Sequence, residues 1–167
     1  MVYDRRNRAR PFRNSGKAYI PKQQKLELDI QKRLCIHIRK TYPHVIFHSD
    51  FGANVDLTEY QAKTNKALQS ADSFPDLTIF APGRVNPKTG QSYIGLALEL
   101  KKDGTPVILK IGKDKGKLTK NEHIRAQAKT LRKLNDQNWY ANFAIGYDEA
   151  LKIVQWYFEE PLQRELF

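Results

Sequence analysis

The first clear pattern along the chain is an apolar residue at every fourth position. Leu26, Ile30, Leu34 and Ile38 recur in this way, which predicts a helix from about Lys22 to Thr41 with one face turned inward. Pro43 stops it, and Val45-Ile46-Phe47-His48 reads as a short strand. Asp56-Leu57-Thr58-Glu59 has the form of a capping box and predicts a helix running to about Ala71. After a turn at Asp72-Ser73-Phe74-Pro75, the stretch from Asp76 to Phe80 is a strand, ended by Ala81-Pro82-Gly83. A polar loop to Gln91 leads into Ser92 to Lys101, a central strand by its apolar content, and Thr105 to Ile111 is a candidate further strand. Gly112 to Lys117 is a flexible lysine loop. Thr119-Lys120-Asn121-Glu122 is a second capping box, opening a helix to about Asn135 with Ile124, Ala128, Leu131 and Leu134 inward. Trp139 to Tyr147 is a strand. Asp148 caps a last helix through Phe158, with Leu151, Val154 and Phe158 on one face. The order αβ(α)ββ(β)αβα predicts an α/β sandwich, a mixed sheet flanked by helices.

Charge changes this picture. The 167 residues carry 29 Lys plus Arg against 18 Asp plus Glu. The excess sits in two places. Up to Lys25 there are eight basic residues, among them Arg5, Arg6, Arg8, Arg10 and Arg13, against Asp4 alone. From Lys101 to Lys120 there are seven lysines, including Lys102, Lys113, Lys115, Lys117 and Lys120, against Asp103 and Asp114. The rest is nearly neutral. Residues 1–20 lack apolar periodicity and read as a flexible basic arm; residues 21–167 read as one domain. Arginine suits phosphate through its planar fork, so phosphate contact is the favoured reading of the arm; a solubilising tail or an address signal is the other. No apolar run could span a bilayer, no secretory h-region opens the chain, and the one cysteine, Cys35, excludes an internal disulfide and a multi-cysteine zinc site. The expectation is an intracellular, cytoplasmic protein whose partner is nucleic acid and not a membrane.

Two strands bring acidic groups together. Pro75-Asp76 starts one and Glu99-Leu100-Lys101 ends the next. Residues two apart on a strand face the same way, so Glu99 and Lys101 share a face and Leu100 points to the opposite layer. If the strands pair as a meander, Asp76 falls beside Glu99. Two carboxylates and the Leu100 carbonyl make a hard-oxygen site of the kind that Mg²⁺ or Mn²⁺ favours. A lysine beside such an ion can orient an attacking water and offset phosphate charge. Taken singly, each piece has a plainer reading: Glu99 with Lys101 or Lys102 as a buried structural pair, and Pro75-Asp76 as a turn before a strand.

In combination, Pro75, Asp76, Glu99, Leu100 and Lys101 resemble the motif of the PD-(D/E)xK, restriction-endonuclease-like superfamily. More narrowly, Pro75 to Gly146 is similar to the VRR-NUC (virus-type replication-repair nuclease) domain. That family shows Pro-Asp-Leu, then a strand ending Glu-Leu-Lys, then a helix carrying Gln and spaced leucines, matched here by Gln127, Leu131 and Leu134, with 141–146 as the strand behind it. This chain departs from the pattern in having Phe74 before the Pro-Asp pair, an apparent insertion at Gly83 to Gln91, and a lysine-rich insertion after Lys102. The glutamine lies about one turn deeper in its helix than the family pattern leads one to expect, so Glu122 or His123 could share its role. The family also places a glutamate in the first helix near the metal; Glu27 is the match, with Gln31 one turn on along the same face, and a solvated Glu27 is the rival reading.

The resemblance implies a Mg²⁺-dependent DNA endonuclease, with Mn²⁺ as a substitute. Asp76, Glu99 and the Leu100 carbonyl would bind the ion, Lys101 would place the water, and Glu27 and Gln127 would complete the catalytic set. The arginine arm and the lysine loop would hold phosphates. It further implies a stand-alone phage or bacterial type, products with 5′-phosphate and 3′-hydroxyl ends, and a homodimer acting on branched DNA such as four-way junctions. Two other classes stay open: a non-catalytic nucleic-acid-binding protein on the same fold, and a restriction-type or RNA-acting nuclease. His37, His44 and His48 carry no assigned chemistry. Trp139 and Trp156 are read as core aromatics.

Overall fold

A computed structural model describes residues 22–50, 58–68 and 73–159. The arm residues Arg5, Arg6, Arg8, Arg10 and Arg13 lie outside the described residues. The element order is α1 (Lys22–Thr41), β1 (Phe47–Ser49), α2 (Glu59–Leu68), β2 (Leu77–Ile79), β3 (Leu96–Lys101), α3 (Glu122–Asp136), β4 (Tyr140–Ile145) and α4 (Gly146–Phe158). The four strands form one mixed sheet in the order β1-β2-β3-β4. The first two pairings are antiparallel and β3 with β4 is parallel, because α3 carries the chain back across the sheet.

β3 is the hinge of the design. All six of its residues are buried, as expected of a strand covered on both faces. Leu96, Leu98 and Leu100 point into the larger core, with Leu34 and Ile38 of α1, Val154 and Tyr157 of α4, and Leu77 and Ile79 of β2. Ala97 points the other way, into a smaller cluster with Leu131 of α3 and Ala141 of β4. Period-2 alternation then places Glu99 and Lys101 on the α3 face. The site therefore lies on the side of the smaller cluster, beyond Ala97 and Ala141.

The structure corrects several sequence expectations. In α1 the buried face runs through Leu28, Ile30, Gln31, Leu34, Cys35 and Ile38, while Leu26 is 48% exposed. A strict four-residue repeat drifts around a helix of 3.6 residues per turn, so the stripe loses its first member. The cap of α2 is Thr58 and not Asp56: Gln61 N–H donates to Thr58 Oγ1 at 3.3 Å and Thr58 N–H to Gln61 Oε1 at 2.9 Å. Asp56 and Ala71 lie outside the described residues. In α3 the cap is Asn121 and not Thr119, with Ile124 N–H donating to Asn121 Oδ1 at 3.1 Å.

At the C-terminal end, β4 stops at Ile145, because Gly146 turns at φ 80° into α4. Asp148 does not cap that helix; Glu149 Oε2 accepts the Ile145 N–H at 3.0 Å instead. The anticipated strand at 105–111 is reduced to one bridge, Ile108 with Leu118. Residues 105–119 form a short, twisted hairpin with glycine turns at its tip. Trp139 and Trp156 pack against the two cores, as read from the sequence.

Candidate active site

Strand register creates the site. Leu77 pairs with Leu98 in the antiparallel β2–β3 ladder, and continuing that register by one step sets Asp76 opposite Glu99. Leu100 N–H donates to Asp76 Oδ2 at 2.7 Å. On the next position along the same edge, Lys102 N–H reaches Glu27 Oε1 at 3.4 Å. The carbonyl of an extended residue leaves by the same edge as its N–H. The Leu100 carbonyl therefore emerges between the Asp76 and Glu27 carboxylates.

On the α3 face, Lys101 Nζ donates to Glu99 Oε1 at 2.9 Å, and both side chains are more than 90% buried. Gln127 Nε2 donates to the same Glu99 oxygen. It also lies 2.9 Å from His123 Nε2, one helical turn back. Gln127 Oε1 is buried without a hydrogen-bond partner among the described residues. A buried amide oxygen left unpaired is costly unless something else donates to it.

Asp76 is held by its backbone as well. Its carbonyl accepts from Asp50 N–H at 3.0 Å, Gln31 Nε2 at 3.0 Å and Ser49 Oγ at 3.1 Å. Gln31 also donates to the Asp50 carbonyl at 2.7 Å. The side-chain amide thus ties α1 to the ends of both β1 and β2. Gln31 was noted in the sequence only as a neighbour of Glu27, and Ser49 was missed. The available signal was a glutamine in the apolar stripe of α1, where burial demands partners.

The electrostatics follow from too many acids in too little water. Burial first and the Asp76 charge second push the Glu99 carboxyl up to about 8, with Lys101 offsetting only part of the rise. The Asp76 carboxyl is also raised, chiefly by burial, against the lowering pull of the Leu100 N–H and Lys101; the Glu27 charge adds to the rise. Ionising both carboxyls beside one ammonium would leave a net negative charge inside the protein, so without a cation Glu99 keeps its proton near neutral pH. That deficit suits a small dication bound through oxygen.

The donor set fits such an ion. Asp76, Glu99 and the Leu100 carbonyl supply three hard oxygens at the adjoining ends of the inner strands β2 and β3, and Mg²⁺ ordinarily keeps several waters beside one or two carboxylates. No group of three or more His, Cys, Asp or Glu side chains at metal-holding distance occurs among the described residues. Glu27 is therefore near the site without forming a three-carboxylate cage. Lys102 is half-buried, whereas Lys113, Lys115, Lys117 and Lys120 are exposed on the hairpin and its exit. Lys117 pairs with Asp114 at 2.9 Å, and Lys120 lies 3.9 Å from the same carboxylate. Glu122 is exposed at the start of α3, so Gln127 and His123 are the helix residues at the site.

The fold is similar to that of a solved VRR_NUC domain protein. The superposition has a TM-score of 0.53 at 19% sequence identity and covers 81% of this chain and 93% of that one. The chain thus has a restriction-endonuclease-like α/β fold, in agreement with the motif spacing. No protein-family model matches the sequence, and no curated protein matches it.

Proposed function

We propose that this chain is a Mg²⁺-dependent endonuclease that hydrolyses phosphodiester bonds in DNA, with Mn²⁺ able to replace Mg²⁺. The observation that carries the reading is the meeting of Asp76, Glu99 and Lys101 at the adjoining ends of the inner strands β2 and β3. Asp76 and Glu99, with the Leu100 carbonyl, would hold the ion. Once bound, the ion supplies Lewis acidity and charge for an in-line displacement at phosphorus.

The chain's own groups do the rest. Lys101 fixes Glu99 by one ammonium proton and turns its others toward a water and the scissile phosphate. Gln127 secures the second donor contact to Glu99 and so holds that carboxyl in place. Glu27 adds negative charge next to Asp76 and would help attract the cation. The hairpin lysines and the arginine arm provide salt-sensitive phosphate contacts. No reader helix for base edges is evident, so backbone and shape recognition is the reading for the substrate, a branched duplex such as a four-way junction. One active site per chain makes a homodimer the economical way to cut two strands.

One observation favours a second reading. Glu99 already receives both Lys101 and Gln127, so the network is internally paired in the manner of a buried support in a non-catalytic DNA-binding protein. A cleavage panel separates the two: linear duplex, single-stranded, branched and RNA substrates, each with Mg²⁺ and with chelator. The nuclease reading expects cutting of branched DNA that stops in chelator, and no cutting by Lys101→Ala although it still binds DNA. Normal cutting by Lys101→Ala refutes the assignment. Metal-independent binding with no cutting on any substrate supports the support role.

A further inference from the structure

The lysine-rich insertion after Lys102 does more than carry charge. It folds into a defined hairpin: Leu109 N–H donates to the Lys117 carbonyl at 2.9 Å, Gly116 N–H to the Leu109 carbonyl at 2.8 Å, and Thr119 N–H to the Val107 carbonyl at 3.0 Å. Val107 anchors its base, 4% exposed. The tip turns on Gly112 and Gly116, both at φ 82°. Its two ends join the two catalytic elements, since β3 feeds into it and α3 leaves from it.

Under this hairpin lies a cavity of about 300 Å³, lined mostly by the apolar side chains of Pro106, Ile108, Leu109, Ile111 and Ile145, with Thr105 and Lys110 beside them and Gly104 at the backbone. The Thr105 hydroxyl is turned away from the open space, buried with no hydrogen-bond partner among the described residues, and so is free to rotate toward a ligand's polar edge. Ile111 at the rim is 86% exposed. An apolar side chain set among Lys110, Lys113 and Lys115 is a poor protein-docking surface, because lysine is depleted from such interfaces. The combination fits a ligand that is flat and apolar on its faces, polar at its edge, and attached to phosphate. Ile145 pairs directly with Lys101 across the β3–β4 ladder, and paired strands lie about 5 Å apart. The cavity wall is therefore one strand from the catalytic lysine.

We infer that this cavity receives an unpaired nucleobase next to the scissile phosphate, with Ile111 as the wedge and the unpartnered Thr105 hydroxyl turning about χ1 to meet the edge of the base. The inference rests on the nuclease reading and deepens it, by giving the site a physical reason to prefer branch points. A base at a junction or bulge is already partly unstacked and costs less to extrude than one within a duplex. The cavity is at the small end of the range of about 300–1,000 Å³ seen for ligand clefts, which suits one ring system without its sugar.

The test uses the full chain with Asp76→Asn, so that the DNA stays intact, and branched DNAs carrying 2-aminopurine at each nucleotide of the branch in turn. One position is expected to brighten about threefold or more on binding, as a base leaves its stack. Thr105→Val and Ile111→Ser, added singly, are each expected to lower that signal by about half or more, the first without altering side-chain shape and the second at an exposed tip. The inference is overturned if a complex forms and no position brightens, or if both substitutions leave the signal unchanged. Wild-type cutting with Mg²⁺ but no brightening sinks the base pocket and leaves the nuclease reading. Brightening without cutting by the wild type sinks the nuclease reading and leaves the pocket. Failure to bind any of these DNAs overturns both.

Discussion

Replacing Asp76 with Asn should remove activity and, in the absence of metal, make the protein more stable. The reason is the net charge of the buried site. Once Glu99 is ionised, Asp76, Glu99 and Lys101 together leave one uncompensated negative charge; the substitution cancels it and keeps the 2.9 Å Lys101–Glu99 pair. It also keeps an oxygen to accept the Leu100 N–H, which now donates to Asp76 at 2.7 Å. Glu99 is pushed up to about 8 from an ordinary 4.5. At 1.36 kcal/mol per unit the whole displacement corresponds to about 5 kcal/mol once Glu99 is fully ionised. Burial, the larger cause, persists in the variant, so the part removed with the Asp76 charge is about 1–3 kcal/mol.

The direction with pH is fixed by linkage. A carboxyl whose folded pKa lies above its unfolded one contributes its full stability below the unfolded value and loses it as pH rises through the folded value. The wild type in chelator should therefore lose stability from Glu99 between about pH 4.5 and pH 8. Asp76→Asn should lose less, so its advantage is near zero at the acid end and greatest above pH 8. For a domain of this size the gain corresponds to about 3–10 °C in melting temperature. Thermal unfolding followed by circular dichroism in chelator across that pH range measures it. A variant that melts at or below the wild type at the alkaline end, or an advantage that shrinks as pH rises, would refute the charge argument. Added Mg²⁺ should reverse the ranking, because the wild type has the ligands and the variant lacks one.

Other substitutions probe the frame and the DNA contacts. Gln31→Leu removes the amide that joins the Asp50 and Asp76 carbonyls; it should cost about 1–3 kcal/mol and slow cleavage more than it weakens DNA binding, read by melting and by single-turnover rates. Gly95→Ala would drive a Cβ into the Trp139 ring at the entry to β3 and should destabilise by about 1–3 kcal/mol in a denaturant titration. Lys113→Ala with Lys115→Ala should lower the slope of log affinity against log salt by about 0.9 per lost phosphate contact, measured by fluorescence anisotropy, and leave melting unchanged.

The comparison of sequence and structure is most instructive where the two part. The α3 helix and its inward Ile124, Ala128 and Leu131 were legible because an amphipathic period is local. Its cap was misplaced by two residues, since Thr119 and Asn121 are both good capping residues and only the backbone path selects one. Residues 105–111, the first arm of the hairpin, read as a strand because Val107 and Ile108 have strand character. Only Val107 found a buried place, and Ile108 stayed 46% exposed. Gln31 shows the same limit at the site: its position was plain, but its partners lie on two strands far along the chain.

What the sequence determined by itself is therefore local. It placed Glu99 and Lys101 on one face of a strand and Leu100 on the other, because side-chain alternation is a property of the extended backbone. It also fixed the order of the elements and the two basic segments. The tertiary structure decided which chain segments meet. The β2–β3 register brings Asp76 opposite Glu99, Gln31 and Ser49 clamp the Asp76 carbonyl, and α3 delivers Gln127 to the same carboxylate. Such contacts depend on strand register and on how two cores of unequal size pack about β3, and these are set by the whole chain at once.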